Sequence, residues 1–260
     1  MSNKKPFLSI IKIGGQIVED DQNLKSVLAQ FAKIKGAKIL VHGGGKAASA
    51  WSQKLGITPQ MIEGRRVTDA ATLDVVTMVY AGLYNKKIVS LLQAIPCNAL
   101  GLTGADLNSI QSHKRIVKEF DYGFAGDIDL VETSILKQLL NNSVTPVFCA
   151  ITHDKSGQLL NTNADTIASE LAAALAPFYE TTLKFCFEKN GVLENPEDDN
   201  SVFPIISFTD YQEYKQVGII SEGMIPKMDN AFFALKNQVN KVFICGAKEI
   251  HQANGTLIQL

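Results

Sequence analysis

The apolar positions of this chain alternate between two rhythms. "FLSIIKI" (7–13) is a β-branched run that predicts a strand, and "NLKSVLAQFAKIK" (23–35) has helical spacing. "AKILVH" (37–42) predicts a second strand and "KAASAWSQKL" (46–55) a second helix. Continuous apolar strands joined by crossover helices predict an α/β fold whose parallel sheet is covered on both faces. The same reading predicts helix over Ala70–Ala94, strand over Asn98–Leu102, extended chain around His113–Phe124, helix over Asp129–Asn141 and strand over Val144–Ala150. "THDKSGQLLNTN" reads as a turn that leads into a long helix, Ala164–Ala176, closed by Pro177. The second half reads as strand Thr181–Phe187, a turn at Lys189-Asn190-Gly191, an acidic loop, helices Asp210–Gln216 and Met224–Asn237, and strand Lys241–Cys245. No Pro- or Ser-rich linker interrupts the 260 residues, so one domain with a single sheet and two functional lobes is expected.

Charge narrows the partners. Lys plus Arg number 25 against 26 Asp plus Glu, which leaves no basic surplus for a nucleic acid backbone or an anionic membrane. Lys12 interrupts the first apolar run and no small-residue cleavage site follows, so a signal peptide is not expected. The apolar stretch "ADTIASELAAALAPF" carries Asp165 and Glu170 and is too short to span a bilayer. Four cysteines without a CxxC pair read as small buried hydrophobes of a reducing cytoplasm.

Two glycine clusters carry the first chemical signal. "IKIGGQ" places Gly14 and Gly15 at the carboxyl end of the first strand, and "VHGGGK" places Gly43, Gly44 and Gly45 at the carboxyl end of the second, before a helix. In open α/β sheets ligands bind at the carboxyl ends of strands, where helix N-termini and bare amides favour anions. A lysine in a central strand, as Lys12 is, needs an anion for its ammonium. "NTNADTIASEL" offers Asn161, Asn163 and Asp165 where a helix cap needs only one polar group, and "EGRRVTD" offers Arg65 and Arg66 for a carboxylate. Asp106 in "GLTGAD" either serves the site or closes a turn. Lys227, opening a late helix after Pro226, reads from its surroundings as a solvated surface residue.

These stretches, with "GIISEGMIPKMDNA", resemble the amino-acid kinase family in order and spacing over almost the whole chain, and within it the branch acting on N-acylated glutamate in arginine biosynthesis. The resemblance implies a three-layer αβα sandwich around a central, mainly parallel eight-stranded sheet. An amino-acid lobe would cover about residues 1–177 and a nucleotide lobe about 178–260. It implies transfer of the γ-phosphoryl of ATP to the γ-carboxylate of an N-acetyl or N-succinyl glutamate, with Mg²⁺ held through the nucleotide and no metal site in the protein itself. By the same resemblance Lys12 and Lys227 neutralise phosphoryl charge, Asp165 orients both, and Gly14, Gly15, Gly44 and Gly45 donate amides. Gly43, Gly44, Arg66 and Asn163 would hold the amino-acid substrate, while Glu188, Lys189, Gly191 and Met224 would meet the nucleotide. Phe187-Glu188-Lys189-Asn190 stands where relatives show Ser or Thr, then Asp and Val. Arg65 is either a solvated arginine or the reader of a succinyl carboxylate. With six residues before Phe7, where arginine-inhibited relatives carry an extra helix, the resemblance implies a cytoplasmic homodimer insensitive to arginine. The alternatives are another carboxylate or nucleotide-monophosphate kinase of the same fold, or a non-catalytic amino-acid-binding regulator.

Overall fold

The computed structural model describes residues 4–62, 64–195, 197–221, 223–247, 250–251 and 255–260. Strand β1 (Phe7–Ile13) lies inside an eight-stranded sheet, between β2 (Ala37–His42) and β11 (Glu180–Phe187). Beyond β2 come β8 (Thr145–Phe148) and β5 (Ala99–Leu102); beyond β11 come β13 (Lys241–Gly246), β14 (Thr256–Gln259) and β12 (Ile205–Ser207). Every pairing is parallel except β13 with β14. This is the mainly parallel sheet expected, and the chain turns away from β1 in opposite directions towards β2 and β11, as doubly wound sheets do.

Side-chain alternation sorts β1 between two cores. Leu8 and Ile10 pack on the face shared with Leu171, Leu175, Met228 and Phe232, while Ile11 and Ile13 pack with Ile17, Leu28, Phe31 and Leu92. The first face is covered by α3 (Gly45–Lys54), α4 (Ala70–Thr77), α6 (Thr133–Asn141), α7 (Ala164–Leu175), α8 (Phe208–Gln216) and α9 (Met224–Lys236). The second is covered by α1 (Gly15–Glu19), α2 (Asp21–Ala32) and α5 (Asn85–Gln93). Caps start several of these helices: Asp20 and Asp69 each accept a backbone N–H at 2.8 Å, and Ser207 with Asp210 forms a capping box.

Four local expectations are corrected. The helix expected from Asp129 begins only at Thr133, because Ala125–Val131 is strand β7, paired with β6 (Ile110–Lys114). The turn at "THDKSGQLLNTN" is a hairpin of β9 (Ile151–His153) and β10 (Leu159–Thr162), tied by Asp154, whose Oδ1 accepts from Ser156 N and Gln158 N. These four strands close into a small barrel, and β3 (Gln60–Ile62) with β4 (Arg65–Val67) forms a further hairpin, so the chain holds three sheets rather than one. The helix over 70–94 is interrupted by a π-helical segment, Met78–Tyr84, between α4 and α5. Short strands with polar outer faces lack the apolar runs that betrayed the main sheet.

Gly123 has φ +65, and a Cβ there would run into the carbonyl of Thr68, whereas Gly157 has φ +88 and open space around it. Gly157→Ala should therefore lose only the left-handed backbone penalty of roughly 1–2 kcal/mol. Gly123→Ala should lose more than that in urea unfolding, since the bridge between Thr68 and Gly123 must open.

Candidate functional site

The carboxyl end of β1 delivers Lys12 to the face covered by α7 and α9. There its Nζ lies 2.8 Å from Asp165 Oδ1, and Lys227 Nζ, from the first turn of α9, lies 3.2 Å from Asp165 Oδ2. All three residues are buried, so Lys227 is not the solvated residue that its sequence surroundings suggest. Its ammonium also lies over the rings of Phe185 and Phe187, at 5.6 and 5.8 Å. Burial pushes the Asp165 carboxyl up, but the ammoniums of Lys12 and Lys227 outweigh it and hold the group well below the usual carboxylate range. Burial, against the pull of Asp165 and with the push of Lys12, lowers Lys227 from its ordinary value. Asp165 also occupies the first turn of α7, where the helix dipole favours negative charge.

A cleft of about 220 Å³ opens beside this triad. Lys12, Gly15, Gly43, Gly44, Gly45, Arg65, Arg66, Asn163 and Asp165 all line it, so the structure gathers most of the residues expected there. The glycines are spatial necessities at one place in particular: a Cβ on Gly44 would meet the Tyr80 ring at 3.0 Å. Gly14 sits behind the cleft, its N–H donating to Cys186 O at 2.9 Å. The two clusters are clamped together by Glu19, whose Oε1 accepts from Ala47 N at 2.7 Å in the first turn of α3.

Arg66 is buried and Arg65 half-buried. One nitrogen of Arg66, Nη2, donates to Gly45 O and to Ser49 Oγ, each at 2.8 Å. The other, Nη1, is buried without a hydrogen-bond partner among the described residues. Asn163 caps α7, its Oδ1 accepting from Asp165 N at 2.7 Å and Thr166 N at 3.2 Å. Asn161 Nδ2 donates to Thr68 Oγ1 at 3.0 Å on the cleft wall. Asp106 does not reach the cleft; its carboxylate closes a turn onto Thr103 N and Oγ1. Among the described lining residues the charges are Lys12, Arg65 and Arg66 against Asp165, and Asp165 is already engaged by ammoniums. Such a cleft accepts an anion of more than one charge.

The proposed nucleotide contacts are less concentrated. Glu188 lines a second cleft, of about 180 Å³, with Asn23, Phe187, Asn190, Asp199, Gly246 and Ala247. Lys189 pairs with Asp199 at 2.7 Å on its rim. Gly191 and Met224 do not line it: Gly191 is packed against Val202 and Thr256, and Met224 packs against the core beside the start of α9. Among the described residues no three His, Cys, Asp or Glu side chains gather to hold a metal, and Asp165 has both oxygens facing ammoniums. The residues present therefore do not form a metal cage of their own.

The sequence pattern of the amino acid kinase family matches residues 8–246. The chain belongs to the amino acid kinase family. An acetylglutamate kinase of Parabacteroides distasonis is 53% identical over 251 residues, covering 96% of this chain and 98% of that protein. One from Bacteroides fragilis is 52% identical over 255 residues, covering 98% of each. Among solved structures, smu.665 from Streptococcus mutans superposes with a TM-score of 0.80 at 26% identity, covering 97% of this chain and 98% of that one. The amino-acid kinase fold read from the sequence is thus the fold observed.

Sequence reasoning missed Glu19, Tyr80 and Asn85. Nothing in the local pattern marks a glutamate that clamps a helix 28 positions away, or a tyrosine that sets the room above Gly44. His42 was in view, as the residue before the glycine run, without a role.

Two acid-sensitive windows follow. The depressed Asp165 contributes stability that is complete above the unfolded carboxyl value of roughly 4 and is lost as pH falls below it. His42 is depressed to about 4 by burial, against 6.5 when unfolded, so the unfolded chain binds the extra proton between these values. Stability should fall by as much as roughly 3 kcal/mol from pH 6.5 to 4 through this group. Urea unfolding between pH 5 and 6.5 should show that slope in the wild type and lose it in His42→Asn. Asp165→Asn should lose on the order of 3–5 kcal/mol at pH 7 by leaving two buried ammoniums unpaired.

Proposed function

We propose that this chain transfers the γ-phosphoryl group of ATP to the γ-carboxylate of an N-acylated L-glutamate, with N-acetyl-L-glutamate as the first candidate. The observation that carries the reading is the cleft itself: two arginines, Lys12 and Asp165, with Lys227 paired to Asp165 beside them, meet bare glycine backbone at the carboxyl ends of two parallel strands. More than half of its residues are shared with acetylglutamate kinases over nearly the full length. Phosphoryl transfer needs positioning and charge stabilisation rather than a protein nucleophile. In this reading a substrate carboxylate oxygen attacks the γ-phosphorus, the bond to the bridging β–γ oxygen breaks, and ADP leaves. Lys12 neutralises the equatorial oxygens, Lys227 the leaving side, and Asp165 keeps both ammoniums in place. The amides of Gly15, Gly44 and Gly45 donate to phosphate oxygens, whereas the Gly14 amide, expected to join them, is taken by Cys186 O. Arg66 offers its unpaired Nη1 to the substrate α-carboxylate while Nη2 is fixed by the loop, and Asn163 stands near the acylamino group. Mg²⁺ enters with the nucleotide phosphates, since no cage for it gathers among the described residues.

The two clefts support an amino-acid lobe of about residues 1–177 and a nucleotide lobe of about 178–260. The first is lined from residues 12 to 165, the second from residues 187 to 247 with Asn23 in addition. Glu188 and Lys189 are read as nucleotide contacts, with Gly191 and Met224 shaping the lobe beneath. A homodimer is supported by the exposed apolar side chains Trp51 on α3, Leu55 just after it, and Met78 and Leu83 on the adjoining π segment. No helix among the described residues is long and apolar enough to cross a membrane, and the reading places the enzyme in the cytoplasm with its ATP.

ADP release with MgATP, with the acyl phosphate trapped by hydroxylamine, should be observed with N-acetyl-L-glutamate or N-succinyl-L-glutamate. Folded protein with neither activity would refute the kinase reading. Lys12→Ala should lower kcat by about 10²- to 10³-fold, the loss typical of a preorganised charge on the transition state. Arg66→Ala should act mainly through the KM of the amino-acid substrate. Arg65 lines the cleft beside Arg66, and Arg65→Ala should selectively weaken use of the succinyl substrate. An unchanged ratio of kcat/KM between the two acyl groups would remove Arg65 from specificity.

A further inference from the structure

Behind the second glycine cluster, on the sheet face opposite Lys12, lies a buried polar network that the chemistry above does not use. His42 ends β2 and is fully buried, and Asn85 opens α5, equally enclosed. Asn85 Nδ2 lies 3.1 Å from His42 Nε2 and 2.9 Å from Val147 O in the neighbouring strand β8. Val147 O can only accept, so the amide atom facing it is the nitrogen, and Asn85 donates to both neighbours. His42 Nε2 is therefore the acceptor, and the ring proton sits on Nδ1, 3.0 Å from Gly43 O. One chain of hydrogen bonds thus runs from β8 through Asn85 and a neutral imidazole to the first carbonyl of the glycine loop. Burial holds the imidazole in that neutral state, down to about 4.

The consequence lies in one peptide plane. No described peptide is cis, so the N–H of Gly44 points opposite to Gly43 O, away from the imidazole that grips that oxygen. Gly43, Gly44 and Gly45 all line the cleft. The grip on one side of the peptide fixes the direction of the donor on the other. Tyr80 closes the remaining freedom, since it stands within van der Waals reach of Gly44. The network also explains Gly101 in edge strand β5: a Cβ there would run into Asn85 Oδ1. The π-helical segment Met78–Tyr84 immediately precedes Asn85 and sets where the side chain enters the sheet.

We propose that His42 and Asn85 are positioning residues for phosphoryl transfer: Asn85 fixes the tautomer of a neutral His42, and His42 Nδ1–H, by holding Gly43 O, aims the Gly44 amide at the transferring group. This rests on the kinase reading above. Neither residue touches substrate; they act through the backbone.

The test separates the two nitrogens of the ring. His42→Gln retains a group at the Nε2 position for Asn85 and loses the donor to Gly43, whereas His42→Asn retains a donor near the Nδ1 position. The Gln variant should lose about tenfold or more in kcat, less than the 10²- to 10³-fold typical of deleting such a donor outright, with little change in either KM. The Asn variant should recover most of that loss although it unfolds at least as readily in urea. Independently, ¹⁵N NMR of the wild type should report His42 with a protonated Nδ1 and a bare Nε2 at pH 7, and Asn85→Ala should perturb that tautomer. Equal kcat in wild type and His42→Gln, losses in the two variants that simply track their stability, or a protonated Nε2 would each overturn the proposal while leaving the kinase reading intact. Absence of turnover in the wild type would instead overturn the kinase reading, whatever the tautomer.

Discussion

A single carboxylate holds two ammoniums that would otherwise repel each other in a buried site. Asp165 reaches Lys12 at 2.8 Å and Lys227 at 3.2 Å, and the three groups come from β1, α7 and α9. Taken out of water, each lysine alone would shed its proton or leave the core. Together with Asp165 they remain, with one positive charge in excess. That excess is the constraint on which the rest of the structure depends, because an incoming anion balances it. It also joins the halves of the chain, since Lys12 lies in the first strand and Lys227 in the last long helix.

The parallel sheet makes the arrangement possible. Running in the same direction, β1 and β2 bring their carboxyl ends side by side, so Gly14–Gly15 and Gly43–Gly45 open at one edge, next to Lys12. Glu19 then ties the start of α3 back to α1, taking up one first-turn N–H and leaving its neighbours for a ligand. The small barrel supplies the far wall, through Gly126 and Thr162, where a Cβ on Gly126 would meet Thr162 Oγ1 at 2.6 Å. Charge, backbone and wall thus come from three different parts of the fold, and each is rigid for its own reason.

This separation decides what a sequence can reveal. Six strands of the main sheet were legible because burial on both faces leaves uninterrupted apolar runs, as in β1, β2 and β11, whereas β12 and β14, short strands at one edge, were not. Lys12 and the glycine clusters were legible because they break those runs at their carboxyl ends. Lys227 was not legible from its neighbours: a lysine after a proline at a helix start is ordinary, and only the fold brings it to Asp165, 62 positions away. The barrel strands escaped for the opposite reason. Ala125–Val131 carries Asp127 and Asp129 on a partly exposed strand, a pattern that also fits the approach to a helix. Gly191 and Met224, taken from the resemblance, lie outside the lining of the second cleft, one packed against Val202 and Thr256 and the other against the core.

The two faces of the sheet also divide the electrostatic work. Alternation along β1 and β2 puts Lys12 on the side of α7 and α9, and His42 on the side of α5. The first side holds Lys12, Asp165 and Lys227 together, where an anion can compensate them, while the one lysine buried from β11 on the second side, Lys184, donates to Ile250 O instead. A proton on His42 would place another cation behind an already electropositive loop, in a pocket with no carboxylate among its hydrogen-bond partners. Burial forbids that, and the orientation of the loop is left to neutral dipoles, whose field falls off within the network and does not compete with the ligand. A backbone donor aimed by dipoles keeps its direction whether or not the anion is present, which is the condition for stabilising charge that appears only in a transition state.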